Sequence, residues 1–398
     1  MIQTKIYVTG IGAVSAIGFN VAENFNSLIK SNHGIGKPEY LDTVHRDTLP
    51  CGEIKMTNSK LAQQAGIKIG TDFSRTALLG LIAAREAVEN AGLMNSGKRN
   101  MGLVSATTVG GMDRTELLYR NITPENRNFI ISHVCGDSTE KIAESLGITD
   151  FVSTVSTACS SSVNSIMSGA EMIKYNLLDR VIVGGTDALA RFTLNGFNSL
   201  MILDKNRNRP FDRNRNGLNL GEGAAFLVLE SEEAVKGREE KILCELTGYA
   251  NANDAFHQTA SSDNGEGAYL AMSKALEKSG LSVEDIDYIN AHGTGTLNND
   301  VTEATAIKRL FGEHIPLFSS TKPFTGHTLG AAGALESVFS ILALRNKTVF
   351  PNLNFEQPME EMPLTPVTGL MKNVEIRNVL SNSFGFGGND SSIIFSAV

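Results

Sequence analysis

The chain has 398 residues, of which 41% are hydrophobic and 20% charged, and its formal net charge is −8. These proportions are ordinary for a folded soluble protein, and at about 100–200 residues per domain the length predicts two domains or two halves of one unit. The acidic balance argues against a nucleic acid as the main partner. The sequence contains no run of about 18 apolar residues, so it predicts no membrane span.

Short runs of β-branched and other apolar residues predict strands along the chain. They are Ile6–Thr9, Met101–Ser105, Val152–Val155, Val181–Val183, Phe226–Leu229 and Tyr288–Ala291. Apolar residues at helical spacing predict helices at Ala77–Ala91, Cys159–Tyr175 and Glu266–Ser279. Strands that alternate with helices indicate an α/β fold, and two of the strand runs are apolar without interruption, which favours strands buried on both faces.

A charged segment, Glu232–Lys241, divides the sequence into two parts. We therefore predict an N-terminal half at residues 1–241 and a C-terminal half at residues 242–398. Each half contains a strand that ends in a turn of small residues with a reactive side chain, Cys159 in the first and His292 in the second. This arrangement indicates two related halves, although their sequences share too little identity to establish a duplication.

The cysteines are scattered and form no CxxC pair. They are Cys51, Cys135, Cys159 and Cys244. Their spacing predicts neither a disulfide framework nor a zinc site. The first residues lack the features of a secretion signal, so we expect a cytoplasmic protein whose thiols stay reduced and available for chemistry.

Cys159 lies in the sequence VSTVSTACSSS, which predicts a strand, a tight turn of small residues and then a helix. Unpaired N–H groups at a helix start favour a thiolate and can lower a cysteine pKa to about 3.5–7.5. Small neighbours would let a substrate approach the sulfur. The alternative, of about equal weight on this motif alone, is a buried structural cysteine.

Two histidines stand beside predicted element ends. His292 follows an apolar strand in a Gly/Thr turn, and His327 precedes a helix that opens with the small residues Gly330–Ala334. Strand ends of this kind carry reactive side chains in α/β proteins. Lys322 and Glu336 could fix the protonation of His327 if they are buried beside it. The alternatives are a loop histidine that caps a turn and ordinary close packing of a helix.

The sequence NSFGFGGND predicts another strand followed by a glycine turn. Gly385, Gly387 and Gly388 permit backbone conformations that would aim an N–H group into a site. The alternative is a tight turn near the C-terminus without a functional role.

Two other motifs are rejected. The segment Gly10–Gly18 resembles a dinucleotide-binding loop, but the required spacing would place glycine where Ser15 stands. A zinc site built from the cysteine and the two histidines would place Lys322 beside a cation with no purpose. We therefore expect neither a nucleotide cofactor nor a metal.

Taken in order, these motifs resemble the elongating β-ketoacyl-acyl carrier protein synthases of bacterial fatty acid synthesis and of related type II polyketide systems. The matching stretches are STACSSS, RPFDRNRNGLNLGEGAA, AHGTGT with Asp300 and Glu303 downstream, STKPFTGHTLGAAGALES and SNSFGFGG. The similarity extends over nearly the whole chain. It implies the thiolase-like fold, a five-layered αβαβα arrangement of two related halves that is normally dimeric. The second histidine, in TGH, is typical of the Cys–His–His branch.

The resemblance implies a role for each catalytic residue. Cys159 would accept the acyl group as a thioester. His292 and His327 would donate from Nε2–H to the oxygen of the enolate that forms when malonyl-carrier protein loses carbon dioxide. The backbone N–H groups of Cys159 and Phe386 would hold the oxyanion of the condensation step.

Lys322 completes the implied catalytic set, and Glu336 supports it. Both would hold His327 in its useful tautomer and balance charge in a dry pocket. The resemblance implies no metal or redox cofactor, because phosphopantetheine arrives on the carrier-protein substrate.

The resemblance also assigns the substrate pocket. Phe386 matches a gate near the nucleophile, and Phe197 matches a second aromatic position. Val109 matches the lining of the distal acyl pocket, and Thr294 and Thr296 are also assigned to substrate binding. For the two aromatic residues and for Val109, the alternative is ordinary core packing.

A basic segment in an otherwise acidic chain predicts a docking surface for an acidic carrier protein. We assign docking to Lys205, Arg207 and Arg209. Other cations considered are Arg213 and Arg215 in the same segment, and more weakly Lys60 and Arg75. Internal ion pairs of these arginines are an equally weighted alternative.

Three segments depart from the family pattern. Leu297–Asn299 replaces a Pro-x-Gly motif, Asn389–Asp390 replaces Thr-Asn, and His133–Asp137 is more polar than the usual acyl-pocket segment. These changes leave the catalytic set intact but make a polar or rigid chain, such as a polyene or polyketide, a credible substrate.

The sequence therefore predicts a β-ketoacyl-carrier protein synthase of fatty acid biosynthesis, with acyl carrier protein as its partner. The alternatives are a ketosynthase of an aryl polyene or type II polyketide pathway, a non-catalytic chain-length subunit, and simple thiolytic or hydrolytic acyl transfer. We expect a homodimer, or a heterodimer with a chain-length subunit.

Overall fold

The computed structural model describes residues 4–94 and 100–398. The strands are β1 Ile6–Ser15, β2 Ile35–Gly36, β3 Cys51–Gly52, β4 Met101–Ala106, β5 Phe151–Val155, β6 Arg180–Asp187, β7 Gly223–Ser231, β8 Cys244–Asn253, β9 Tyr288–Asn290, β10 Leu317–Ser319, β11 Thr348–Val349, β12 Met371–Lys372, β13 Asn378–Gly385 and β14 Asn389–Ser396. The α-helices are α1 Val21–Ile29, α2 Asn58–Gln64, α3 Arg75–Asn90, α4 Met112–Leu118, α5 Asn128–Ile131, α6 Cys135–Leu146, α7 Ser161–Lys174, α8 Arg191–Ser199, α9 Glu232–Val235, α10 Glu266–Ser279, α11 Leu297–Phe311, α12 Lys322–Thr325 and α13 Ala332–Asn346. Short 3₁₀ turns occur at Glu239–Lys241, Val283–Asp285 and Leu329–Ala331.

Ten strands form one mixed sheet in the order β10-β9-β13-β14-β8-β1-β7-β6-β4-β5. From the centre outward, each half repeats one succession: two antiparallel neighbours, then two parallel ones. The halves meet where β1 pairs briefly with β8, through Tyr7 and Val8. The two halves therefore share one topology, although the division between residues 241 and 242 stays a prediction.

The helices divide the strands into layers. Helices α3 and α6 cover the outer face of the N-terminal strands, and α10, with α11 packed against it, covers the outer face of the C-terminal strands. Helices α7 and α13 contact each other and strands of both halves, so they form the middle layer. This αβαβα succession confirms the predicted thiolase-like fold. Cys159 lies just before α7 and His327 just before α13, which brings the start of both middle helices to one site.

Strand β1 is longer than the sequence predicted, because Gly10 and Gly12 lie inside it rather than in a turn. A Cβ on Gly10 would lie 2.2 Å from the carbonyl oxygen of Ala87, and one on Gly12 would lie 2.0 Å from that of Ala83. These glycines therefore let α3 pack directly on the strand. Strands β6 and β7 are buried along nearly their whole length, as their apolar runs predicted.

Among the residues that the structure describes, no helix is long and apolar enough to cross a membrane.

Candidate active site

Cys159 lies in the turn between β5 and α7, where Ala158 adopts a left-handed conformation with φ of 53°. The helix begins at Ser161, two residues later than predicted, so the sulfur precedes the first helical turn. Cys159 is 6% exposed and lines a cavity of about 270 Å³ together with His292 and His327. The structure therefore brings the three predicted catalytic side chains to one cavity.

The pKa of Cys159 is raised to about 11, chiefly because the thiol is buried. The positive charge of Lys322 and a hydrogen bond from the backbone N–H of Phe386 act in the opposite direction, and they do not outweigh burial. The prediction of a lowered thiol pKa at the helix start is therefore wrong for the free protein. The thiol is protonated at rest and must lose its proton as it reacts.

Phe386 lies at the tip of the β13–β14 hairpin, followed by Gly387 and Gly388, which both have positive φ. Its ring stacks on Phe197, with centroids 5.7 Å apart and planes inclined by 20°. Its N–H faces the sulfur of Cys159. This turn therefore supplies both an aromatic pair at the cavity and a backbone donor at the nucleophile.

His292 follows β9 in a loop that two buried carboxylates hold in place. Glu303 accepts hydrogen bonds of 2.8 Å from the N–H groups of His292 and Gly293. Asp300 accepts bonds of 3.1 Å from the N–H groups of Thr294 and of the glycine that follows it. Burial raises the pKa of Glu303 to about 7.

Lys322 contacts His292 rather than His327, which corrects the predicted role. Its Nζ lies 3.1 Å from Nδ1 of His292 and 2.6 Å from the carbonyl oxygen of the same residue, and it also pairs with Glu336. An ammonium group can only donate hydrogen bonds, so Nδ1 of His292 must accept one. The proton of the neutral imidazole therefore resides on Nε2.

His327 acquires the same tautomer from a backbone group. The N–H of Leu329, a residue with φ of 55°, donates to Nδ1 of His327 at 3.1 Å. The rings of His292 and His327 are nearly perpendicular, with centroids 5.4 Å apart. Burial and then the charge of Lys322 lower the pKa of both imidazoles well below the usual value. Both rings are therefore neutral donors through Nε2–H.

Asp187, at the end of β6, is a residue that the sequence analysis missed. Its buried carboxylate accepts hydrogen bonds from Thr108 (2.7 Å to the hydroxyl, 3.1 Å to the N–H) and from the N–H of Gly330 at 2.7 Å. It thereby joins the loop after β4 to the loop that carries His327. The sequence signal that could have identified Asp187 is a single acidic residue at the end of an apolar strand.

The predicted substrate residues are divided between the cavity and the core. Phe197, Thr294 and Thr296 line the cavity, and the two threonine hydroxyls lie 2.9 Å apart. Val109 packs in an apolar cluster with Phe197 and Leu189. Contact of Val109 with an acyl chain stays a prediction.

The predicted docking cations differ in their availability. Lys205 and Arg207 are exposed, a few residues beyond the cavity wall at Met201. Arg209 is 25% exposed at its side chain and is paired with Asp212. The docking role of these cations stays a prediction.

Two of the other cations considered for docking, Arg215 from the basic segment and the weaker candidate Arg75, are buried, so their docking role was wrong. The side chain of Arg215 is 2% exposed, and that of Arg75 is 9% exposed and pairs with Glu222 at 2.6 Å. Arg213 is half-exposed and pairs with Glu360, and Lys60 is exposed on α2.

Within residues 4–94 and 100–398, no group of three His, Cys, Asp or Glu side chains is arranged to hold a metal ion. The Nδ1 atoms of the two site histidines already accept hydrogen bonds from Lys322 and Leu329.

Curated relatives match the chain over its full length. It is 33% identical to the 3-oxoacyl-[acyl-carrier-protein] synthase 2 of Staphylococcus aureus strain COL, with 98% of each protein covered. It is equally 33% identical to the protein of the same name from Coxiella burnetii, with 100% of each covered.

Solved structures give the same result. The ishigamide ketosynthase/chain length factor superposes with a TM-score of 0.94, at 30% identity and 100% coverage of both chains. A ketosynthase in complex with its chain length factor from Xenorhabdus doucetiae superposes with a TM-score of 0.84, at 31% identity and coverage of 99% and 98%.

Family models match both halves of the chain. The β-ketoacyl synthase N-terminal domain matches residues 3–234, and the β-ketoacyl synthase C-terminal domain matches residues 243–356. Together with the full-length relatives and the site geometry, these matches show that the chain belongs to the β-ketoacyl synthase family.

Proposed function

We propose that the chain is a 3-oxoacyl-carrier protein synthase, which condenses a malonyl unit with an acyl group held on Cys159 and releases carbon dioxide. The observation that carries this proposal is the pair of neutral imidazoles beside the thiol, both held as Nε2–H donors. Simple acyl transfer or hydrolysis has no use for two such donors. A non-catalytic chain-length subunit has no use for the nucleophile.

The first step transfers the acyl group to Cys159. The thiol attacks the carbonyl carbon of an acyl thioester, and the carbon–sulfur bond to the carrier arm breaks. The proton that leaves Cys159 balances the proton that the departing carrier thiolate takes up, so no net base is consumed. The N–H of Phe386 and the charge of Lys322 favour the thiolate as it forms.

The second step forms the carbon–carbon bond. The malonyl thioester loses carbon dioxide, and the electron pair of the broken bond passes into a thioester enolate. Nε2–H of His292 and of His327 donate to the enolate oxygen. The enolate carbon then attacks the acyl carbonyl on Cys159, whose carbon–sulfur bond breaks to release the 3-oxoacyl product and the Cys159 thiolate, which takes up a proton from solvent. Neutral donors suit this step, because an imidazolium would protonate the enolate instead of stabilising it.

Lys322 and Glu336 position the site in this scheme. Lys322 is 1% exposed and donates to His292, and Glu336 balances its charge. Burial raises the pKa of Glu336 to about 7, and its second oxygen has no hydrogen-bond partner. The pair therefore holds the Lys322 ammonium group beside His292 in a site without solvent.

Fatty acid elongation is the proposed pathway, and it is supported by the curated relatives named as 3-oxoacyl-carrier protein synthases. A polyene or polyketide pathway is the second candidate. It is supported by the likeness to ketosynthases whose structures include chain length factors and by the polar residues at 133–137. Relative kcat/KM for saturated and polyunsaturated acyl-carrier proteins separates the two.

The proposal includes a dimer, either of two identical chains or with a chain-length subunit. Strand β5 is an edge strand of the sheet, and Phe151 and Val152 on it are 36% and 37% exposed. Other apolar side chains of the N-terminal half are also exposed, including Leu117, Ile131 and Phe192. An apolar edge strand is normally covered by another chain.

The proposal requires no metal or redox cofactor, because the thioester and the loss of carbon dioxide drive the reaction. It also places the protein in the cytoplasm, where Cys159 would stay reduced. The cysteines at 51, 135, 159 and 244 form no disulfide with one another in the structure.

The test is to separate acylation from condensation with His327→Ala. Because His327 acts on the enolate, we expect the variant to keep Cys159 acylation and to lose malonyl decarboxylation by about 10²–10³-fold. Acylation is followed by intact-protein mass spectrometry and decarboxylation by carbon dioxide release. His314→Ala is the control, because His314 is exposed and does not line the cavity. Unchanged condensation in His327→Ala would reject the assigned role.

A further inference from the structure

Two acidic side chains, those of Asp390 and Asp254, both lie close to the backbone of Gly267. A Cβ on Gly267 would lie 2.1 Å from Oδ2 of Asp390 and 2.9 Å from Cβ of Asp254. Asp390 is the second residue of the Asn-Asp pair that departs from the usual Thr-Asn pattern. The departure therefore places a carboxyl group where the pattern has an amide, beside a second acidic side chain.

The two acids belong to two segments that form one wall of the cavity. The segment 254–262 contributes Thr259, Ala260 and Ser261, and the turn 386–388 contributes the residue that stacks on Phe197. Backbone bonds join these segments. The N–H of Gly387 donates to the carbonyl oxygen of Gln258 at 2.8 Å.

The first residue of segment 254–262, Asp254, makes hydrogen bonds that hold the segment in place. Its N–H donates to the carbonyl oxygen of Gly388 at 2.9 Å, and its carboxylate accepts 2.6 Å bonds from the N–H and hydroxyl of Ser262. The conformation of segment 254–262 and that of turn 386–388 are therefore linked at Asp254.

Asp390 is buried, 2% exposed, and within the described residues no hydrogen bond contributes to the shift of its pKa. The titratable groups that act on it are Asp254 from the segment and Glu303 from α11. Helix α10 presents Gly267 to it, and the paired position on β13 is Phe384. No cation among these neighbours compensates a negative charge. Burial, followed by the charges of Asp254 and Glu303, raises the pKa of Asp390 to about 7.

We propose that Asp390 is a positioning residue which, when protonated, donates its hydroxyl to the Asp254 carboxylate and fastens segment 254–262 to turn 386–388. Each carboxylate oxygen of Asp254 has a second lone pair beyond the one used by Ser262, so it can accept this bond. Loss of the proton to solvent places two negative charges together and favours separation of the segments. This proposal rests on the proposed function only in assigning the cavity to the acyl and malonyl substrates.

The sign of the pH effect follows from linkage. A carboxyl whose pKa is raised in the fastened state binds its proton there more tightly than in the separated state. The fastened state is therefore favoured most strongly at low pH, and it is weakened as pH rises from the ordinary carboxyl pKa to about 7. Above that pH the equilibrium stays constant.

The test is hydrogen exchange of the N–H groups of Asp254 and Gly387, expressed as protection factors between pH 5 and 8.5 in the full protein. In the wild type we expect protection to fall by up to about tenfold per pH unit towards pH 7 and then to level off. In Asp390→Asn the charge is absent, so protection should be independent of pH. Asp263→Asn removes a charge from an exposed neighbouring position and should behave as the wild type.

A second readout follows the condensation rate over the same pH range. The ratio of kcat in Asp390→Asn to kcat in the wild type should change between pH 5 and 7, and the ratio for Asp263→Asn should not. Parallel exchange profiles in the wild type and Asp390→Asn would overturn the proposal. Because exchange needs no substrate, this outcome is distinguishable from failure of the condensing activity itself.

Discussion

The tautomers of the two site histidines are set by two hydrogen bonds, one from a side chain and one from the backbone. Lys322 donates to Nδ1 of His292, and the N–H of Leu329 donates to Nδ1 of His327. Both contacts are made within the protein itself. The donors for an enolate oxygen are therefore organised before the reaction, which is the arrangement that lowers an activation barrier most.

Substitution of Lys322 removes the side-chain hydrogen bond to His292 and tests its importance for condensation. In Lys322→Met, Nδ1 of His292 loses its donor and the nearby charge that favours the Cys159 thiolate disappears. We expect condensation to fall by about 10²–10³-fold and acylation to fall by a smaller factor. Single-turnover measurements of acylation and of carbon dioxide release separate the two rates.

The control addresses folding, because Lys322→Met leaves Glu336 buried without its cation. The double variant Lys322→Met/Glu336→Gln removes that charge, and we expect it to regain thermal stability without regaining rate. Recovery of condensation in the double variant would show that Lys322 acts only through stability.

The catalytic residues themselves could be predicted from the sequence, but their contacts could not. Lys322 is five positions from His327 and thirty from His292, yet it bonds the latter. The thiol pKa was missed for the same reason. Proximity to a helix start is visible in a sequence, whereas the burial that raises the pKa of Cys159 to about 11 depends on residues from both halves.

At the scale of elements, strands and helices were predictable where one local pattern dominates. Helix α10 has the predicted bounds, Glu266–Ser279, and the apolar runs at β6 and β7 are buried strands. Strand β1 was predicted too short because glycine usually ends a strand. Its glycines instead serve a contact with α3, which lies about seventy residues further along the chain.

The β1–α3 contact predicts a large effect of one methyl group. In Gly12→Ala, the added Cβ would lie 2.0 Å from the carbonyl oxygen of Ala83, so strand and helix must separate. We expect the free energy of unfolding to fall by about 1–3 kcal/mol or more. Urea unfolding measures this change. Gly36→Ala, where nothing lies within 4 Å of the added Cβ, should leave stability nearly unchanged.

At the scale of the molecule, two halves of one topology place their middle helices against each other. The turn before α7 carries the nucleophile and the turn before α13 carries a histidine, so a single repeated architecture assembles the site. The pattern of motifs predicted this architecture. The acyl chain was not predictable, because the pocket that we predict around Val109 and residues 133–137 would select it by shape rather than by residue types.

The partly exposed edge strand β5 allows the proposed dimer to be tested by mutation. Val152→Lys introduces a charge on β5, the edge strand that we propose to pair with a second chain. We expect the wild type to be a dimer and the variant to be largely monomeric by light scattering across a concentration series. Val44→Lys, at a site already 92% exposed, should remain dimeric. A monomeric wild type would reject homodimerisation and favour a heterodimer with a chain-length subunit.

The most direct test of the central claim is the mass of the intact protein after incubation with acyl-carrier proteins of short, long and unsaturated chains. We predict an increase equal to one acyl group in the wild type and in Cys135→Ala, and none in Cys159→Ala. Thermal unfolding of Cys159→Ala at the wild-type temperature would establish that it is folded. The absence of an adduct with every chain, or an adduct that persists in Cys159→Ala, would contradict the assignment of Cys159 as the condensing nucleophile.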